Sequence, residues 1–206
     1  MRLLFCIAIG YLLGSLSPSA FISKLKHKNL RDEGTGNLGA TNTALVFGKL
    51  FGIIVMLFDL LKGFGAVKIA ALIIPDSEWI PMLAGFFAVI GHCFPFYLKF
   101  KGGKGLASFG GVILAYSPLL FIIGISTGAI IVLITNTGAA IAYYAALIFP
   151  TYVLFVCQSK FTFIVSLAIS VFIMIIFLPN LKRAIRGEDY KSRDFLKSQA
   201  ESKSDK

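Results

Sequence analysis

The sequence predicts an all-α, polytopic integral membrane protein of about seven transmembrane helices, with its N-terminus outside and its C-terminus cytoplasmic. Three observations carry that expectation. Of 206 residues, 57% are hydrophobic and only 15% charged, too few charges for the surface that a soluble domain of this length exposes. Mean hydropathy is +0.83, and apolar runs able to cross about 30 Å of hydrocarbon recur along the chain. The net charge of +10 is gathered into blocks: Lys24, Lys26, Lys28, Arg31 and Lys49; then Lys99, Lys101 and Lys104; then Lys182 onward. Lys and Arg retain their loops on the cytoplasmic side.

The elements follow in order. The first apolar run covers residues 3–22. Arg2 and the stretch Leu3 to Gly14 suit a signal peptide, but Pro18 spoils the cleavage sites and Phe21 and Ile22 prolong the run, which predicts a retained span. A basic, glycine-rich stretch from Ser23 to Lys49 comes next, then a second span over 51–74. The loop Pro75-Asp76-Ser77-Glu78-Trp79 has two acids, no Lys or Arg and an interfacial Trp, so it belongs outside. A third span over 80–98 returns to the Lys99 block. From Gly105 to Cys157 the chain is almost uncharged, and parity decides its crossings. Residues 161–178 form one clear span, and the eight Lys and Arg after Pro179 hold the end inside. The preceding stretch must then hold an odd number of crossings. One is too few for its length, so three short spans are expected, with breaks near Gly124–Gly128 and Thr135–Gly138. Residues 1–189 are read as one transmembrane domain and 190–206, rich in Lys, Ser, Asp and Glu, as a disordered tail.

The three cysteines, Cys6, Cys93 and Cys157, sit in apolar runs at unrelated spacings and read as small hydrophobes. The basic blocks carry no interleaved aromatics or motif of a nucleic-acid binder, so no nucleic-acid partner is expected.

Three constellations carry chemistry. The string RDEGTGNLGATN at 31–42 combines a forked cation, Arg31, with three glycines that let the backbone turn sharply and with neutral polar groups on Thr35, Asn37, Thr41 and Asn42. That combination suits a phosphate; an ordinary polar loop is the equal alternative. GTGNLG is not a dinucleotide fingerprint, since no strand–helix unit surrounds it. The second string is GHCFPF at 91–96 followed by FKGGKGLAS at 100–108. Its GGKG leads straight into an apolar helix, where glycines permit close approach, a helix start offers N–H groups and Lys104 offers charge. A basic stop-transfer loop would need the lysines but not the glycines, so phosphate binding is favoured. His92, at the end of the third span, reads as a loop brace in preference to a proton-transfer group. The third is NLKRAIRGED at 180–189, whose plain reading is a basic interfacial helix end. Asp59 and Lys62, three apart in the second span, are placed to pair.

Taken together, GSLSPS at 14–19, RDEGTGNLGATN at 31–42, DLLKG at 59–63, VIGHCFPFYLKFKGGKGLAS at 89–108 and NLKRAIRG at 180–187 resemble the bacterial acyl-phosphate:glycerol-3-phosphate acyltransferases. The resemblance covers nearly the whole chain. It implies a seven-span fold in the bacterial inner membrane with the motifs at the cytoplasmic face. It also implies a reaction: acyl phosphate gives its acyl group to the 1-hydroxyl of glycerol 3-phosphate, yielding lysophosphatidate and inorganic phosphate, with the leaving phosphate taking the hydroxyl proton. An acyl phosphate is already activated, so such a site mainly holds two anions together and orients the hydroxyl. No cofactor and no metal are implied. By family position the reacting groups would be served by Arg31, Thr35, Asn37, Lys104 and Asn180. Substrate binding would fall to Gly34, Gly36, Asn42, His92, Gly102, Gly103, Gly105 and Ser108. The partners implied are acyl phosphate, glycerol 3-phosphate and membrane lipid.

Three positions depart from the family pattern. Thr35 stands where Ser is usual, Phe177 where the third motif usually has His, and Asp189 where Glu is usual. Two alternatives therefore stay open: a transporter of a small anionic metabolite, against which stands the lack of an internal repeat, and a diverged noncatalytic partner of a lipid-synthesis enzyme.

Overall fold

The computed structural model describes residues 1–188, and these are helical, with no β-strand among them. The helices are α1 (Arg2–Ser15), α2 (Pro18–Leu25), α3 (Ala40–Phe47), α4 (Lys49–Ile73), α5 (Trp79–Cys93), α6 (Leu106–Tyr116), α7 (Pro118–Thr135), α8 (Ala139–Val156) and α9 (Lys160–Ile185), with a 3₁₀ turn at Phe96–Leu98. The expected tail at 190–206 and the departure at Asp189 lie outside the described residues.

Six stretches are long and apolar enough to cross a membrane: Arg2–Leu25, Lys49–Ile73, Trp79–Leu98, Pro118–Thr135, Ala139–Val156 and Lys160–Ile185. The remaining apolar helix, α6, has only 11 residues, about 16 Å at 1.5 Å per residue. Its ends nevertheless lie at opposite ends of α5. Gly105, just before α6, packs against Val89 and Cys93, whereas the Tyr116 hydroxyl donates to the Glu78 carbonyl at 3.0 Å. Trp79 and Phe161 stack at 5.9 Å at that second end, while Phe177 reaches the Lys104 end. The helices thus run alternately between two ends of the bundle.

Two expectations are corrected, the break near Gly124–Gly128 and the end of the last span at 178, and two stretches gain detail. The first run is broken: α1 stops at Ser15 and α2 starts at Pro18. Ser17 caps α2 by accepting the Ala20 N–H at 3.3 Å, and Pro18 sits in the first turn, where its missing N–H costs nothing. The expected break at Gly124–Gly128 is absent, since both glycines lie inside α7. The chain turns instead at Ser117-Pro118, where Ser117 accepts the Leu120 N–H at 3.1 Å. Gly128 makes room for Ile141 of α8, and Gly124 faces Ile148 of the same helix. The basic, glycine-rich stretch 23–49 contains α3. Finally, α9 does not stop at 178 but continues through Pro179 to Ile185. A proline removes one ladder bond, which flanking turns and interfacial solvent tolerate near a membrane helix end.

Inside a bilayer, lipid tails are as apolar as the side chains, so helices associate by close packing. The α1–α5 and α4–α6 seams show this. Gly14 lies against the Ala88 carbonyl and Gly63 against the Ser108 carbonyl, so closely that a Cβ at either position would collide with backbone. The main core, with Val67, Met82, Val89, Phe109, Phe149 and Ile173, sits where α4, α5, α6, α8 and α9 meet.

Candidate functional site

The first glycine-rich loop is wrapped around one amide. Asn42, wholly buried in the first turn of α3, donates through Nδ2 to the carbonyls of Leu30 at 2.7 Å and Glu33 at 3.1 Å. Its Oδ1 accepts the Thr35 N–H at 2.7 Å. Gly34 has φ +57° and its Cα faces the Asn42 amide, so a side chain there meets both strain and collision. Gly36 is also left-handed, at φ +69°. The Asn37 amide lies back over Gly39. Asn42 therefore holds the loop from within, while Thr35 and Gly36 are exposed and Asn37 is half-buried.

Arg31 joins this loop to the second. Its Nη2 donates to the Leu98 carbonyl at 3.3 Å and to the Lys101 carbonyl, and the Leu38 backbone packs on Gly103. The second loop folds back on the end of α5: the Gly102 N–H donates to the Cys93 carbonyl at 2.9 Å and the Gly103 N–H to the His92 carbonyl at 3.1 Å. Those two N–H groups are engaged by protein. The donors expected of this loop, Lys104 and the start of α6, lie beyond them, and α6 follows Gly105 in the left-handed region at φ +80°. The Lys104 ammonium lies 5.6 Å from the centroid of the Phe177 ring, within cation–π range. Asn180, three residues on in α9, shares the Phe177 face and is partly exposed.

Beneath the loops lies a buried polar hub. Lys62 Nζ is 2.8 Å from Asp59 Oδ1, as the spacing predicted, and it also donates to the Leu16 carbonyl at 2.8 Å. His92 Nδ1 approaches the same Asp59 oxygen at 3.3 Å, and its Nε2 edge packs on Gly103. His92 is therefore placed as a brace. Ser108, expected as a ligand group, is wholly buried in the α4–α6 seam, and its Oγ finds no hydrogen-bond partner among the described residues.

Sequence reasoning took Lys24 and Lys28 only as membrane-retention charges and passed over His27. The three share with Arg31, Leu38 and Leu98 a cleft of about 360 Å³ beside the first loop. Only their clustering with Arg31 could have signalled it. The sequence also gave no role to Tyr11 and Tyr97. The Tyr97 hydroxyl donates to the Ser15 carbonyl at 2.8 Å and accepts the Ser17 N–H at 3.0 Å, holding the α1–α2 break, and Tyr11 donates to the Phe94 carbonyl at 2.8 Å.

Comparison with known proteins matches residues 4–187 to the family model described as glycerol-3-phosphate acyltransferase. The glycerol-3-phosphate acyltransferase of Bacillus subtilis (strain 168) is 36% identical over 192 residues, covering 93% of this chain and 98% of that protein. The enzyme of the same name from Streptococcus thermophilus (strain LMD-9) is 47% identical over 123 residues, which span 59% of this chain and only 57% of that relative's length. Among solved structures, the glycerol 3-phosphate form of PlsY, an integral membrane glycerol 3-phosphate acyltransferase, superposes with a TM-score of 0.86 at 30% identity, over 93% of this chain and 96% of that one. Its lysophosphatidic acid form gives a TM-score of 0.84 at 29% identity, over 93% and 95%.

Proposed function

This chain belongs to the glycerol-3-phosphate acyltransferase family, and on that premise we propose that it acylates the 1-hydroxyl of glycerol 3-phosphate from acyl phosphate. The hydroxyl oxygen attacks the acyl carbonyl carbon, the carbon–oxygen bond to the phosphoryl group breaks, and inorganic phosphate leaves with the hydroxyl proton. Lysophosphatidate is the product. The observation that carries the reading is the joining of the two glycine-rich loops through Arg31, with Lys104 on the second. Two anions brought together need this kind of clustered, fixed positive charge.

In this reading Arg31 and Lys104 neutralise the phosphates, Thr35, Asn37 and Asn180 orient them, and the acyl chain lies between spans. Gly34, Gly36 and Gly105 give the loops their left-handed turns, and Gly102, Gly103 and His92 set the loop height. With α6 as a seventh crossing, residues 1–189 form one domain with its N-terminus outside. The Arg31–Lys104 end then faces the cytoplasm of a bacterial inner membrane. A transporter reading gains nothing from loops gathered at one end of the bundle rather than at its middle.

The test is lysophosphatidate formation by purified protein given acyl phosphate and radiolabelled glycerol 3-phosphate, beside Lys104→Ala. Product that disappears in the variant is the expected outcome. Folded wild-type protein that makes none would overturn the reading.

A further inference from the structure

We propose that Asp59 and Lys62, acting through His92, are positioning residues: a buried polar hub that sets the height and register of both glycine-rich loops. This rests on the acyltransferase reading of those loops. Three features carry it. The first is cost. Asp59 and Lys62 lie inside a 25-residue apolar helix, and both side chains are 3% exposed. Charges in such places are expensive, and well-packed apolar residues commonly replace a buried pair without loss of stability. A role in stability alone does not account for them.

The second feature is where the hub's contacts lead. From Lys62 one bond runs to the Leu16 carbonyl, at the break where α1 gives way to α2; α2 then leads into the Arg31 loop. From Asp59 a second path runs through His92 Nδ1, at 3.3 Å, to the ring's Nε2 edge on Gly103. The second path ends on the second loop itself, and the first ends at the α1–α2 break, from which α2 carries the chain to the first loop. The third feature is the site of attachment. The Gly102 and Gly103 N–H groups are held by the Cys93 and His92 carbonyls, so the end of α5 that bears the imidazole also seats the backbone that leads to Lys104, and the ring itself packs on Gly103. The groups around the hub come from α1 (Leu16 carbonyl), α4 (Asp59, Lys62), α5 (His92, Cys93) and the second loop (Gly103). Neither Asp59 Oδ1 nor His92 Nδ1 makes an aligned hydrogen bond, so charge and packing hold the ring, an arrangement sensitive to either partner.

The experiment uses the full chain in lipid nanodiscs and compares wild type with Asp59→Asn/Lys62→Gln. That pair removes both charges together and leaves neither one stranded. His92→Leu cuts only the arm to the loop, and His92→Gln partly rebuilds it. The first readout, independent of activity, is amide hydrogen exchange. The segment 96–106 should exchange roughly tenfold faster in the double variant and in His92→Leu, with 120–150 unchanged, and His92→Gln should recover part of the protection. The second is kinetic and takes the second loop, by family position, as the seat of the glycerol 3-phosphate phosphate: KM for glycerol 3-phosphate rises roughly tenfold while KM for acyl phosphate stays within about twofold. Unchanged exchange at 96–106 would overturn the positioning role. So would uniform loss of protection in every segment, since that is what a merely structural hub produces. Faster loop exchange with both KM values raised equally would overturn the assignment of the loop to glycerol 3-phosphate. Wild-type protein with no turnover but the expected exchange pattern would overturn the proposed reaction and keep the hub.

Discussion

The α5 segment and α7 are both strongly apolar, yet they are held in opposite ways. Of the apolar stretch in Trp79–Leu98, 56% is buried in protein, against 6% in Pro118–Thr135. On α5, Gly91 packs on the α1 backbone and His92 is tied into the polar hub. On α7, Ile122, Ile125 and Ile134 face outward, and Thr127 and Tyr144 of α8 pair through their hydroxyls at 2.6 Å. Apolar composition is enough to insert a helix, but only small residues and buried polar groups fix where it sits against its neighbours. The loops sit on the fixed half.

The largest way to sharpen that contrast is chemical. Lys104→Ala should lower kcat/KM by about a hundredfold or more while leaving the thermal midpoint in detergent close to wild type. A loss below tenfold would place the critical charge elsewhere. Next comes the clamp of the first loop. Asn42→Ala strands the buried carbonyl of Leu30 and removes the bonds to the Glu33 carbonyl and the Thr35 N–H, and a buried polar group left unpaired costs about 1–3 kcal/mol. Limited proteolysis should cut near 31–38 in this variant and not in wild type. Resistance equal to wild type would show that the loop is held by other means.

A pair of glycines two residues apart on α4 tests packing directly. A Cβ at Gly63 would collide with the Ser108 carbonyl of α6, whereas a Cβ at Gly65 meets nothing within 4 Å. Gly63→Ala should cost about 1–3 kcal/mol and lower the thermal midpoint. Gly65→Ala should be neutral or stabilising, by up to about 1 kcal/mol from helix propensity. Gly124→Ala in α7, where the nearest atom would be Ile148 Cδ1 at 3.5 Å, should behave like Gly65→Ala. Equal midpoints for all three would break the comparison of the two regions.

The smallest expected effect concerns Phe177. Its ring lies under the Lys104 ammonium, a contact of about 0.5–2 kcal/mol. Phe177→Leu should raise KM for glycerol 3-phosphate severalfold with kcat nearly unchanged. Phe177→His tests the departure from the family pattern: a rise in kcat/KM would show that Phe177 had weakened the enzyme, and a fall would show that the aromatic seat suits this chain.

Much of this was legible in the linear chain because its signals are local. Runs of Leu, Ile and Phe specify insertion whatever they pack against, and segregated Lys and Arg suggest an orientation. The Asp59–Lys62 pair follows from helical spacing alone. Ser17-Pro18 and Ser117-Pro118 also carried local start signals, but long apolar runs on both sides masked them, and the glycines at 124 and 128 suggested a break that the α7–α8 contact turns into packing.

What the sequence by itself determined is a helical membrane chain with two basic, glycine-rich loops, because hydropathy, charge and turn chemistry are properties of neighbouring residues. What only the tertiary structure decided is which groups those loops have to offer. Asn42 turns inward, Ser108 is sealed in a helix seam, the Gly102 and Gly103 N–H groups are taken by the end of α5, and Lys104 rests on Phe177. These outcomes depend on partners far away in sequence. A polar group shows in the chain that it needs a partner, but not which distant backbone or ring will supply it.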